Sequence, residues 1–98
     1  MADPWLNADD ICEAVAFWTG LDADELAELE RGHWHVCKAR RLMWACLRAN
    51  GMSWPAIAEF SGRRHHSTIW KALHVNPPEA SEVRSVMALA RQRQSATS

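Results

Sequence analysis

A chain of 98 residues that is 48% apolar and carries six tryptophans can bury the core of one domain, so composition excludes a disordered segment. The net charge of −1 hides an asymmetry: residues 1–30 hold nine of the twelve carboxylates and no Lys or Arg, while residues 31–98 hold all eleven basic residues. No apolar run reaches the ~18 residues that suggest a membrane span, and the opening Met1-Ala2-Asp3-Pro4-Trp5 lacks the pattern of a signal peptide.

The elements read as helices throughout, because Ala, Leu, Glu and Arg dominate and strand formers are scarce. Asn7 or Asp9 caps a first helix whose Ile11, Ala14, Val15 and Trp18 follow helical spacing, and Gly20 ends it. Asp22-Ala23-Asp24-Glu25 resembles a capping box for a short second helix through Leu26 and Leu29. A third helix is expected over residues 36–50, burying Ala39, Leu42, Met43, Cys46 and Ala49, with Asn50-Gly51 as its stop. Ser53 caps a fourth helix with Pro55 in its first turn and Ile57, Ala58 and Phe60 suited to packing. After the turn at residues 62–65, a fifth helix over 66–75 buries Ile69, Ala72 and Leu73, and Asn76-Pro77-Pro78 stops it. A last helix over 79–93 carries Val83, Val86, Met87 and Ala90, ahead of a frayed end. The expected fold is therefore all-α: one domain over 1–98, a compact bundle of about five to six helices that contains a helix-turn-helix with a basic turn.

Residues 53–75 carry the chemistry. A capped helix bearing Ala58 and Gly62 four residues apart supplies the small contact residue and the chain reversal of a helix-turn-helix. The turn is basic, and the next helix opens with His66-Ser67-Thr68, side chains able to bond base edges or phosphates in a major groove. The run Gly62-Arg63-Arg64-His65-His66-Ser67-Thr68-Ile69-Trp70-Lys71-Ala72 resembles the signature of the C-terminal DNA-binding domain of the replication initiator DnaA, roughly Gly-Gly-Arg-Asp-His-Thr-Thr-Val-Leu-His-Ala. Upstream, Ser53-Trp54-Pro55 and Ile57-Ala58 resemble the family's Ser-Leu-Pro-x-Ile-Gly, and Ala39-Arg40-Arg41-Leu42 resembles the Ala-Arg-Gln-Ile that opens its long helix. The resemblance covers about residues 8–75.

That resemblance implies a recognition helix in the major groove and an arginine in the minor groove. Arg64, His66, Ser67 and Thr68 take the signature's positions, Pro55 matches the proline near the groove, and Arg40 is the choice for the minor groove, with Arg41 or Lys38 as alternatives. Arg63 and Lys71 join the phosphate-facing set, and Trp70 either meets a thymine methyl or a neighbouring protein, or packs on the last helix. His65 stands where the family has Asp and Arg63 where it has a second Gly, which changes the expected DNA site. No ATPase region accompanies these residues.

Other chemistries fit less well. His33-Trp34-His35-Val36-Cys37 has no matching second ligand pair, so no metal and no cofactor is expected. His66 and Ser67 have no orienting acid nearby in sequence, so no enzyme activity is expected. Cys12, Cys37 and Cys46, an odd count without framework spacing, suggest reduced core thiols and a cytoplasmic protein, and the resemblance to the DNA-binding domain implies association with the nucleoid. The expected function is sequence-specific binding of double-stranded DNA by a small transcriptional regulator of phage or mobile-element type. Alternatives are a modulator of replication at DnaA-type boxes, or an interaction module whose acidic residues 1–30 bind RNA polymerase or another regulator.

Overall fold

Asn7, rather than Asp9, opens the first helix: its side chain accepts a hydrogen bond from the Asp9 backbone N–H at 2.8 Å. The computed structural model describes residues 6–22, 26, 34–62 and 65–97. Helix α1 (Ala8–Thr19) places Asp9 and Asp10 in its first turn, where carboxylates complement the helix dipole. It ends at Gly20, whose φ of +78° is open to glycine at no steric cost. Helices α2 (Trp34–Ala49), α3 (Trp54–Phe60), α4 (His66–Val75) and α5 (Ala80–Thr97) follow, and no strand occurs among the described residues. The chain is all-α, as its composition and periodicity require.

Helix α2 is the axis of the bundle and packs against each of the other four. Val36, Ala39, Leu42, Met43, Trp44, Cys46 and Leu47 are all buried and form a broad apolar face, while Lys38, Arg48 and Ala49 on the other side are exposed. Around it close Ile11, Ala14 and Val15 of α1, Ile57 and Ala58 of α3, Ile69 of α4, and Val86, Met87 and Ala90 of α5. Leu26 joins this core, and its N–H meets the Asp22 carbonyl one turn back. The rest of the expected short second helix lies outside the described residues.

The α2–α3 junction is held by two contacts that no local pattern announces. Asn50, buried at 7% exposure, accepts from the Leu6 N–H and donates its side-chain N–H to the Leu6 carbonyl, both at 2.8 Å. It pairs with a backbone 44 residues away as a neighbouring strand would. Beside it, Arg48 bonds the Met52 carbonyl at 2.9 Å and stacks its guanidinium 5.0 Å from the Trp54 ring centroid.

Several expectations are corrected. Trp18 is not a core residue: it is 46% exposed and reaches across to α5, where its indole N–H donates to Glu82 at 3.4 Å. Ala49 and Phe60 are exposed, because α2 turns those positions away from α1 and α3 is too short to cover its last residue. Helix α2 starts two residues earlier than expected, and α5 continues through Thr97 instead of fraying after 93. Glu13 of α1 and Arg93 of α5 pair at 3.4 Å along that extension.

Candidate nucleic-acid interface

Helices α3 and α4 form a packed pair joined by residues 61–65. Ser53 starts the pair by accepting from the Ala56 N–H at 3.2 Å, and Pro55 sits exposed in the first turn, where a missing N–H leaves nothing unpaired. The chain reverses at Gly62, whose φ of +72° suits glycine, and its N–H bonds the Glu59 carbonyl. The buried Trp44 of α2 donates its indole N–H to the Ser61 hydroxyl at 3.0 Å and so ties the turn to the central helix. Arg63 and Arg64, the basic residues expected in this turn, lie outside the described residues.

The two faces of α4 differ sharply. Ile69 is fully buried, and Ala72 and Leu73 are half-buried against the core. His65, His66, Ser67, Thr68, Trp70 and Lys71 are all exposed. His65 occupies the N-cap in extended conformation, yet its side chain makes no capping bond. The first N–H groups of a helix have no intrahelical partner, so this end of α4 presents donors together with three polar side chains.

Trp70 is 46% exposed, and its ring stacks on His74 with centroids 3.8 Å apart and planes 25° from parallel. The His74 Nδ1 meets the Trp70 carbonyl at 2.9 Å, which holds the imidazole over the indole. His74 was not among the candidate residues, although its i+4 spacing from Trp70 is the signal that finds it.

The basic residues of α2 separate into two roles. Lys38 is exposed and Arg41 half-buried, and both line a cleft with Asn76, Pro77 and Pro78 at the far end of α4. Arg40, the first choice for a minor groove, is only 4% exposed, and its Nε donates to the Leu26 carbonyl at 3.3 Å. A guanidinium enclosed by the fold in this way is not positioned to enter a groove, against the expectation for Arg40. Its side chain instead reaches a recess of about 210 Å³ shared with Cys37, Thr68 and Ala72, where α2 meets α4.

The three thiols are free. Burial, with a smaller contribution from the carboxylate of Glu82, pushes the Cys46 thiol up to about 12. Burial also raises Cys12, helped by Asp9 and Glu13. Among the described residues no group of three His, Cys, Asp or Glu side chains is placed to hold a metal ion, and no helix is long and apolar enough to cross a membrane. No protein-family model, curated protein or solved structure matches this chain.

Proposed function

We propose that the chain is a DnaA-like helix-turn-helix module that binds double-stranded DNA in a sequence-specific way, as a small nucleoid-associated transcriptional regulator of phage or mobile-element type. The observation that carries this reading is the division of α4: one face is fastened to the core by Ile69, and the other offers His66, Ser67, Trp70 and Lys71 to solvent. Ten residues of helix span about 15 Å, a length suited to a major groove ~12 Å wide and ~8.5 Å deep. Trp44 bonding Ser61 ties the end of α3 to the central helix, which supports α3 and α4 acting as one rigid unit on DNA.

In this reading α4 enters the major groove from its N-terminal end. His65, His66, Ser67 and Thr68 meet base edges and the nearest phosphates, and Trp70 lies over the apolar edge of the groove. Lys38 and Arg41 reach the phosphates, or the minor groove, beyond the other end of α4, while Pro55 and the start of α3 cross the backbone. Arg63 and Arg64 precede α4 in sequence and supply the remaining positive charge.

Selection of bound duplexes from random DNA, followed by footprinting, tests the reading. The expected result is one short enriched motif protected in the low-salt and moderate-salt range. A motif resembling the DnaA box would favour the replication role over transcription. Absence of any protection at low salt overturns the proposal.

A further inference from the structure

A second cleft lies not at α4 but on the neighbouring side of α2, between the end of α1 and the start of α5. It encloses about 260 Å³. Ala39 and Leu42, almost fully buried, form its floor, and Leu21, Pro78 and the indole of Trp18 form its walls. Lys38 of α2 and Glu82 of α5 are its two charged residues.

Those charges line one cleft without pairing. Arg93 pairs with Glu13, whereas Lys38 and Glu82 form no ion pair with each other in the described structure. Glu82 accepts only the long 3.4 Å bond from the Trp18 indole, which leaves most of its acceptor capacity unused. Trp18 itself stays 46% exposed beside the apolar floor of Ala39 and Leu42, an arrangement that an apolar group entering the cleft would cover.

We propose that this cleft binds a small zwitterion: a free α-amino acid with an apolar side chain. The carboxylate goes to Lys38, the ammonium to Glu82, and the side chain lies between Trp18, Leu42 and Pro78. The size of the cleft selects this class, since it falls below the ~300–1,000 Å³ of sites for drug-sized ligands. The two opposite charges favour a zwitterion over a plain amine or a plain acid, because only the zwitterion makes a charge-assisted hydrogen bond to each of them.

Occupancy also bears on DNA. Lys38 and Pro78 line both this cleft and the one at the end of α4, so a bound amino acid draws on a cation of the proposed interface and pins the connection that follows α4. This regulatory part rests on the proposed DNA-binding reading; the binding site itself does not.

The test uses the intact chain and two-dimensional NMR, with the Trp18 indole N–H assigned by its loss in Trp18→Phe. Titration with leucine, methionine and phenylalanine is expected to shift that signal saturably. Isoamylamine and isocaproate, which each keep one charge of leucine, are expected to leave it in place. Lys38→Gln and Glu82→Gln, both at solvent-accessible side chains, are expected to keep the circular-dichroism spectrum and weaken binding about tenfold each, the loss of one charged hydrogen bond. No saturable shift up to 10 mM amino acid, equal shifts from the amine or the acid, or affinity unchanged in both variants would each overturn the site. DNA affinity is then measured with and without saturating amino acid. A change extends the site to regulation, whereas an unchanged value removes the regulatory part and failure to bind any DNA removes the earlier reading alone.

Discussion

Asn50→Ala is the sharpest test of how this fold is closed. The substitution deletes an acceptor for the Leu6 N–H and a donor to the Leu6 carbonyl, both at 2.8 Å. A hydrogen bond exchanged freely for water contributes about 1 kcal/mol, and more when its partner is stranded out of reach of solvent. Asn50 is 7% exposed and Leu6 half-buried, so water replaces the lost groups only in part. The two bonds together come to about 2–3 kcal/mol, a large share of the ~5–15 kcal/mol typical of a domain. With ~4–8 °C lost per kcal/mol at this chain length, the melting temperature should fall by roughly 8–24 °C. Urea unfolding followed by tryptophan fluorescence measures the loss, and amide exchange at Leu6 locates it. Asn76→Ala, at an exposed asparagine that donates only through its backbone, is the control and should stay within ~0.5 kcal/mol. If Asn50→Ala behaves like Asn76→Ala, or if the Leu6 amide keeps its protection, the clamp does not hold the N-terminal segment.

DNA affinity should fall with salt despite the net charge of −1: Arg41, Arg63, Lys71 and two further cations facing phosphate give a log–log slope of roughly −4 to −5, at ~0.9 per phosphate. A slope near zero would refute that placement. Arg64→Ala should reduce discrimination between sites by ~1–3 kcal/mol, while Lys71→Ala weakens all sequences alike; competition binding on specific and random duplexes distinguishes them. Arg40→Ala, in contrast, should lower stability with little change in the specificity ratio, because its guanidinium is enclosed and bonded to Leu26. Cys46 has a folded-state value of about 12 against an ordinary 9.0, so its contribution is complete below pH 9 and is lost as pH rises from 9 toward 12. Cys46→Ala should flatten that alkaline decline in urea titrations, and an unchanged profile would count against the buried thiol as its source.

Legibility followed the range of the forces involved. Asn7, Gly20, Ser53 and Gly62 mark helix ends by local hydrogen bonding and local sterics, so their roles were readable from neighbours in sequence. Burial of Ile11, Leu42, Ile57, Ile69 and Val86 followed from periodicity, which fixes the face a residue occupies. Periodicity does not say how far the opposing element extends. Trp18 shares the inward stripe of α1 but lies beyond the part of α5 that would cover it, and meets Glu82 at the rim instead. Arg40 lies one turn from the buried Val36, Met43 and Trp44, so helical spacing already places its side chain on the inward stripe of α2, against the expectation that its charge would keep it outside. The Asn50 clamp and the Trp44–Ser61 bond each join polar groups distant in sequence, for which no local signal exists. For the candidate interface, the exposed set on α4 was legible because polar side chains alternate there with the inward Ile69; the basic turn that completes it falls on Arg63 and Arg64, outside the described residues.

The contacts between α1 and α5 also set an order of folding. Glu13 and Arg93 are 80 residues apart, and Trp18 and Glu82 are 64 apart, whereas α3 and α4 are joined by residues 61–65 alone. With each doubling of loop length costing ~0.6 kcal/mol in chain entropy, closing the longer loop costs about 2 kcal/mol more. The α3–α4 pair and its seat on α2 therefore condense first, and the first and last helices join once α2 offers them a surface. Weakening the late seam at Glu13 or Trp18 speeds unfolding and leaves the folding rate almost untouched, while a smaller side chain at Ile57 slows folding itself. The pair proposed to meet DNA is thus also the part of the chain that organises earliest, and the seam farthest apart in sequence governs how long the folded state lasts.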